Sequence, residues 1–304
     1  MSDVVIILNP WAGRGRAGKQ RAMIEQELKG AGLEYRMMLT HARGGAIELA
    51  WQAVEQGHTN IVAVGGDGTL NEVVNGIKGA EAVTGRRAVM GVMPFGTGSD
   101  FVKVFKHIRP NDIAGGVQRI LTYKTRSIDL GMVKVDNEPP RFFINALGIG
   151  LDAQAAAEAL KIRRLKGFTV YLLAIARAVM RYRAHPMVVS YEGKKLDRQL
   201  LFASIANGRC QAGGFWLTPN AAVDDGLLDL CLVDNMRMDE IVRYIPLVMH
   251  GAHTHLRQVT MDRARKVQIQ CSEPMPVATD GEVLSTGARK LQVHLIPDAI
   301  DILA

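Results

Sequence analysis

The sequence predicts an α/β fold in two domains: a parallel sheet covered by helices over residues 1–123, then a β-sandwich over 124–296. Three observations carry this. Strand-like and helix-like stretches alternate as far as Thr122, which is the pattern of successive βαβ units. From Lys124 onward, short strand-like runs follow one another and are separated by turns. At 304 residues the chain is long enough for two cores of ordinary size.

In the first domain "DVVIIL" is followed by a loop and a helical pattern around Met23 to Leu28. "LEYRMMLT" precedes a helical stretch from Ala46 to Val54, and "NIVAV" leads into a helix carrying Leu70, Val73, Val74 and Ile77 at helical spacing. "RAVMGVMP" leads into "GTGSDFVKVF". In the second domain "SIDLGMVKVDNEPPRFFINALGIG" reads as two strands joined by a polar, proline-bearing turn. "MVVSYEGKKL", "QLLFASIANG", "LLDLCLVDN", "KVQIQCS" and "KLQVHLIP" read as further strands, with helices near 151–183 and 237–250. The closing "DAIDILA" reads as a strand that returns to the first domain, placing 297–304 with 1–123.

Composition narrows the partners. Lysine and arginine exceed aspartate and glutamate by 37 to 30, a charge of +7 that suits an anionic partner such as a nucleotide or a membrane surface. Nucleic acid is not expected, because aromatics are only 6% and no stacking platform is visible. Cys210, Cys231 and Cys271 are odd in number and widely spaced, so neither a zinc pattern nor a disulfide framework follows. "MSDVVIILNP" lacks the basic and apolar segments of a signal peptide, and the apolar stretch from Phe168 to Ala176 falls far short of the ~20 residues of a membrane span. The expectation is a cytoplasmic protein, at most peripheral to a membrane.

Three glycine-bearing loops leave strand ends: "NPWAGRGRAG", "GGDGT" and "PFGTGSD". In parallel sheets such loops meet at the carboxyl edge, where ligands collect. A glycine turn entering a helix leaves backbone N–H groups uncovered beside the positive end of the helix, a seat for phosphate. Asn9 can bridge backbone groups in the first loop, and Gly13 and Gly15 allow close approach to a ligand, with Arg14, Arg16 and Lys19 nearby. Asp67 is the unusual residue of the second loop. A carboxylate beside phosphate is repelled unless a cation intervenes, and magnesium held through water is the economical explanation. In the third loop the Thr97 hydroxyl can reach a phosphate or a base, and Ser99 is placed as a helix N-cap.

Two acidic stretches complete the set. In "ATDGEVL", extended chain would put Asp280 and Glu282 on one face, where paired carboxylates serve a cation or a proton transfer. In "AAVDDGLLDL", Asp225 with neighbouring carbonyls suits a divalent ion, and an ordinary Asp-Gly turn fits equally well.

Taken in order and spacing, "NPWAG", "GGDGTLNEVVNG", "PFGTGSDF", "PNAAVDDGLLDL" and "DGE" resemble the diacylglycerol kinase catalytic family, which includes bacterial lipid kinases and the sphingosine and ceramide kinases. "GGDGT" alone also occurs in NAD kinases and phosphofructokinases. The resemblance implies a Rossmann-like, ATP-binding α/β domain and a β-sandwich, with ATP in the cleft between them. It implies that Thr40 and Thr97 line the nucleotide site, with Gly65, Gly66, Asp67, Gly68, Thr69, Leu70 and Asn71 around the phosphates. Asp67 would organise a catalytic Mg2+, and Asp225 with the carbonyls of Ala222 and Leu227 would hold a structural one. Asp280 and Glu282 match the family's acidic pair, and the general base is left open among Asp280, Glu282 and Asp67. Ala12 and Ser99-Asp100 stand where many members have serine and Asn-Asp.

The implied activity is transfer of the ATP γ-phosphoryl group to a lipid hydroxyl, with diacylglycerol the first candidate. The rivals are an NAD kinase-like phosphotransferase and a non-catalytic nucleotide- or lipid-binding relative. A hydride-transferring oxidoreductase is disfavoured, because no GxGxxG follows the first strand with an acidic residue suitably downstream. The lipid partner implies a peripheral membrane contact, expected at "LKIRRLKGFTVYLLAIARAVMRYRA". This stretch carries Lys161, Arg163, Arg164, Lys166, Arg177, Arg181 and Arg183 around an apolar centre and no acidic residue.

Overall fold

The structure, a computed structural model, describes residues 4–162, 173–174, 177–178 and 184–304. The chain divides into two compact units: Met1–Ile128 with Asp298–Ala304, and Asp129–Pro297.

The first unit is a Rossmann-like parallel sheet. Its strands β1 (Val4–Leu8), β2 (Tyr35–Leu39), β3 (Asn60–Gly65) and β4 (Val89–Pro94) lie in the order β2-β1-β3-β4. The end of β13 (Glu282–Leu303) extends the sheet, with Asp301 and Ile302 parallel to Val89 and Met90. All five residues of β1 are buried, as a strand covered on both faces requires, which is why it is written as an unbroken apolar run. Helices α1 (Ala12–Lys19), α2 (Arg21–Gly30), α3 (Gly45–Glu55), α4 (Asp67–Thr84) and α5 (Ile113–Thr122) connect the strands. Helix α3 buries Ala46, Ala50, Ala53 and Val54 as one stripe at helical spacing, while α4 is buried on nearly all sides from Thr69 to Ile77, with Glu72 partly exposed. Sequence reasoning left α5 unread: Gly115 and Gly116 weaken its helical signal, while Asp112 caps it by accepting the Gly115 N–H.

The order β2-β1-β3-β4 places a topological switch point between β1 and β3, where outgoing connections diverge to opposite faces and leave a crevice. The loops after all four strands therefore emerge along one carboxyl edge.

The second unit is an antiparallel sandwich. Strands β11 (Val259–Ala264), β10 (Leu228–Asp234), β9 (Lys194–Ala206), β7 (Ala146–Gly150), β12 (Lys266–Thr279) and β13 pair in that order. Strand β8 (His185–Tyr191) joins β12 and β9, and β6 (Arg141–Phe143) joins β5 (Thr125–Val135). Leu147, Ile149, Val189, Ile205, Leu230, Ile269 and Leu291 meet in its core. Helices α6 (Leu151–Lys161) and α7 (Met238–Met249) accompany the sheet. Most of the basic segment from Lys161 to Arg183, read from the sequence as a helix, lies outside the described residues.

Two strand expectations are corrected. "MVVSYEGKKL" is not one strand, because Glu192 and Gly193 adopt positive φ and turn the chain between β8 and β9. The stretch "RFFINALGIG" is two strands, β6 and β7. Its ladder breaks at Ile144 and Asn145, whose N–H groups bond the Asp280 carboxylate instead.

One side chain ties two helices of the first unit together. No residue of its own caps α3, and the Glu72 carboxylate on α4 accepts the N–H groups of Gly44 (2.9 Å) and Ala46 (3.1 Å) at its N-terminus. Both the hydrogen bonds and the charge favour that helix end. Glu72→Gln keeps one acceptor and leaves the other N–H facing an amide, so it is expected to cost about 1–2 kcal/mol. A shifted urea midpoint reads this out; an unchanged midpoint would show the cap to be unimportant.

Candidate active site

The loop after β1 is built around Asn9. Its N–H donates to the Val64 carbonyl (3.0 Å), its side-chain amide donates to Thr69 Oγ1 (3.0 Å), and its Oδ1 accepts the Trp11 N–H (3.0 Å). Asn9 thus bridges the switch point from β1 to the start of α4. The chain then passes through Gly13, Arg14 and Gly15 with φ of 58°, 61° and 84°. A Cβ on Gly13 would stand 2.2 Å from the Phe95 carbonyl oxygen, so no larger residue fits beneath this loop. Arg14, Arg16 and Lys19 are exposed on it.

The turns after β3 and β4 touch. The Phe95 N–H donates to the Gly65 carbonyl (2.7 Å), and a Cβ on Gly96 would lie 2.8 Å from the Gly66 Cα. Helix α4 starts in this contact with no side chain capping it, so Asp67, Gly68 and Thr69 form its first turn directly after Gly66. The positive end of a helix left open in this way suits an anion. Asp67 stands at the same place, with its two carboxylate oxygens accepting the N–H groups of Asp100 and Phe101, each at 3.1 Å. Burial, then the neighbouring Asp100 charge, push the Asp67 carboxyl up to about 6 from its ordinary 3.8. Lys103 Nζ pairs with Asp100 Oδ1 at 2.6 Å.

The other expected residues of this unit divide. Thr40 is buried at the end of β2, its N–H on the Leu8 carbonyl, and Thr97 is exposed in the turn after β4. Both leave the same sheet edge as Asn9 and Gly65. Leu70 faces the core and gives its N–H to the Gly66 carbonyl, while Asn71 is buried and accepts from Asn75 on the next turn. Ser99 is not a helix cap: it has φ of 46°, its hydroxyl donates to the Gly96 carbonyl, and the following short turn begins after Asp100.

In the second unit the acidic pair takes a form that alternation does not describe. Asp280 and Gly281 have φ of 47° and 83° and form a two-residue turn between β12 and β13, closed by Thr279 opposite Glu282. Asp-Gly is the pairing such a turn favours, and its positive φ values abolish the two-residue period of extended chain. The expectation that both carboxylates share one strand face is therefore corrected. Asp280 turns inward, where it is buried and accepts the N–H groups of Ile144 (2.8 Å), Asn145 (3.1 Å) and Ala146 (2.8 Å). Glu282 stays partly exposed and meets Arg141 Nη2 at 3.2 Å.

At the acidic turn Asp225 Oδ1 accepts the Leu227 N–H, and the Gly226 N–H goes to Asp129. Arg263 lies 3.6 Å from Asp225 Oδ2 and 3.3 Å from Asp229 Oδ1. Asp229 Oδ2 is buried without a hydrogen-bond partner, and burial pushes that carboxyl up. Among the described residues no group of three or more His, Cys, Asp or Glu side chains could hold a metal ion, so a cation here would depend on backbone carbonyls such as those of Ala222 and Leu227.

Sequence reasoning did not single out Asp100, Arg141 or Asp229. Asp100 lay inside a quoted loop, yet its approach to Asp67 depends on two turns meeting 33 residues apart. Arg141 opens a stretch read only as strand, and no local pattern marks it.

Comparison with known proteins agrees with this geometry. Residues 3–133 match the diacylglycerol kinase catalytic domain, and residues 145–304 match the YegS C-terminal NAD kinase beta sandwich-like domain. A Staphylococcus aureus protein named diacylglycerol kinase is 30% identical over 91% of this chain and 85% of its own. One from Bacillus subtilis is 28% identical over 93% and 90%. In fold, the chain is similar to a crystal structure of a Bacillus anthracis diacylglycerol kinase, with a TM-score of 0.73, 22% identity and coverage of 99% and 96%. It is more distantly similar to yeast NADH kinase, with a TM-score of 0.51, 10% identity and coverage of 97% and 78%. The chain belongs to the diacylglycerol kinase family, and is a kinase of the lipid phosphotransferase kind.

Proposed function

We propose that this protein transfers the γ-phosphoryl group of ATP to a lipid hydroxyl, with diacylglycerol as acceptor and phosphatidic acid as product. The observation that carries the reading is the uncapped N-terminus of α4 against the Gly65–Gly66 and Gly96 turns, with the buried Asp67 carboxylate beside it. Backbone N–H groups there suit the phosphates, and Asn9, Gly13, Thr40 and Thr97 border the nucleotide along the same edge.

The residues around Asp67 fit magnesium. Two hard carboxylates, Asp67 and Asp100, stand together at a phosphate seat, and the close cation, Lys103, pairs with Asp100. When bound, magnesium supplies charge neutralisation to the phosphate oxygens. Asp67 would hold it. A second, structural cation at Asp225 with the carbonyls of Ala222 and Leu227 is supported by the unpaired Asp229 oxygen, and would share the turn with Arg263.

The lipid hydroxyl attacks the γ-phosphorus, the bond to the leaving ADP oxygen breaks, and the hydroxyl proton passes to a carboxylate. Glu282 is the better base: it is partly exposed, while Asp280 is buried and spent on three backbone N–H groups. Asp280 instead holds the turn that presents Glu282. No helix among the described residues is long and apolar enough to cross a membrane. The protein then acts on its lipid by peripheral contact at the cytoplasmic membrane face.

Radiolabel transfer from ATP into dispersed diacylglycerol tests the reading; transfer to NAD with none to any lipid would overturn it. Glu282→Gln should lower turnover at least ~10²-fold at unchanged melting temperature. Asp280→Asn should destabilise the protein by about 1–3 kcal/mol, the cost of buried donors facing the wrong group. Near-normal turnover of Glu282→Gln would remove it as base.

Protonation of Asp67 gives a further test. Its folded-state value lies above the unfolded one, so its ionisation lowers stability as pH rises from about 4 to about 6, and the ion-free carboxyl is protonated below that. Magnesium must displace this proton, so its affinity in the presence of ADP should fall about tenfold per pH unit below pH about 6. Calorimetric titration with Mg2+ across pH 5–8, with Asp67→Asn as control, reads this out. An affinity independent of pH over that range would separate Asp67 from the ion.

A further inference from the structure

One short segment grips both acids of the Asp280–Glu282 turn. Ile144, Asn145 and Ala146 direct their N–H groups to Asp280, and Arg141, at the start of the same segment, reaches Glu282 at 3.2 Å. The segment itself is well seated. Arg141 pairs with Val133 across β6 and β5, and Phe143 is fully buried opposite Gly131. The Phe143 ring occupies the place a side chain at Gly131 would take, since a Cβ there would lie 1.9 Å from Phe143 Cζ. Strand β6 therefore cannot slide without losing a packed aromatic ring, and the base of the Arg141 side chain is held with it.

From this we infer that Arg141 is a positioning residue for the phosphoryl transfer, resting on the reading of Glu282 as the base. The Asp280 bonds fix where the turn lies, and the Glu282 side chain extends from that turn through its own torsions. Glu282 has three of these, and each multiplies the rotamers open to a glutamate. A guanidinium at 3.2 Å from one carboxylate oxygen, carried on a seated strand and less than a third exposed, selects among them. The contact involves a single Arg141 nitrogen and a single Glu282 oxygen, which leaves the second carboxylate oxygen outside the pair. The chemical division is then complete: the backbone of 144–146 holds Asp280, and the side chain of Arg141 aims Glu282.

The experiment is a double-mutant cycle on the full chain, with ATP and detergent-dispersed diacylglycerol as substrates. Wild-type activity and its loss in Glu282→Gln establish the underlying reading first, so failure at that stage concerns the base and not Arg141. Arg141→Met should then lower kcat by about 10–100-fold, with KM for ATP changed less than about twofold. Arg141→Lys, which keeps the charge on a more flexible stem, should recover part of that loss. In the Glu282→Gln background Arg141→Met should cost almost nothing further, because a positioning residue has nothing left to position. An equal loss in both backgrounds would overturn the proposal. So would a raised KM for ATP at preserved kcat, which would make Arg141 a nucleotide-binding cation. If Arg141→Met lowers the melting temperature, Arg141→Lys and its double variant with Glu282→Gln carry the same comparison: additive losses in that pair refute the inference.

Discussion

Asp67 accepts the N–H groups of Asp100 and Phe101, and this pair of bonds fixes how the turn after β3 meets the turn after β4. The remaining features of the edge follow from it. The two turns approach so closely that only glycine fits at the contact, the first turn of α4 is left without a side-chain cap, and a buried negative charge stands where phosphate would be seated. Such a charge is unfavourable by itself, and burial has already pushed its carboxyl up to about 6. The N–H bonds offset part of that cost, at roughly 1.5–3 kcal/mol for each hydrogen bond to a charged group. A cation bound beside the carboxylate would relieve the remainder, as the proposed function requires.

The same device recurs across the chain. Carboxylates that accept backbone N–H groups hold Glu72 to the start of α3, Asp129 to Gly226, Asp112 to Gly115 and Asp280 to the break between β6 and β7. Each pins a loop or a helix end that hydrophobic packing alone would leave loosely placed. In the second unit this arrangement separates two acids that are neighbours in sequence. Asp280 becomes part of the framework, and Glu282 remains at the surface with an arginine beside it.

Much of the fold was legible because its regular parts obey local rules. A strand buried on both faces is an apolar run, as in Val4–Leu8, and a helix packed on one face shows its stripe, as in Ala46, Ala50, Ala53 and Val54 of α3. The misreadings occur where a tertiary bond overrides the local pattern. The break at Ile144–Asn145 has no signature of its own, since it exists to serve a carboxylate more than 130 residues away. The inward turn of Asp280 defeats alternation for the same reason that its Asp-Gly sequence favours a tight turn, and Ser99 adopts positive φ where a helix cap was expected. The glycine loops point to the carboxyl edge, but the residues that meet there, Asp100 above all, come together only through the sheet order. Motif spacing carried the family resemblance further than any single residue did.

The proposed phosphate and magnesium seat is the α4 N-terminus with Asp67 beside it. A crystal structure with magnesium and a non-hydrolysable ATP analogue tests it most directly. The analogue's phosphates are expected against the Gly65–Thr69 turn, with the Asp67 carboxylate facing the ion directly or through one water. Phosphates bound elsewhere, or a magnesium ion with Asp67 turned away from it, would contradict this placement.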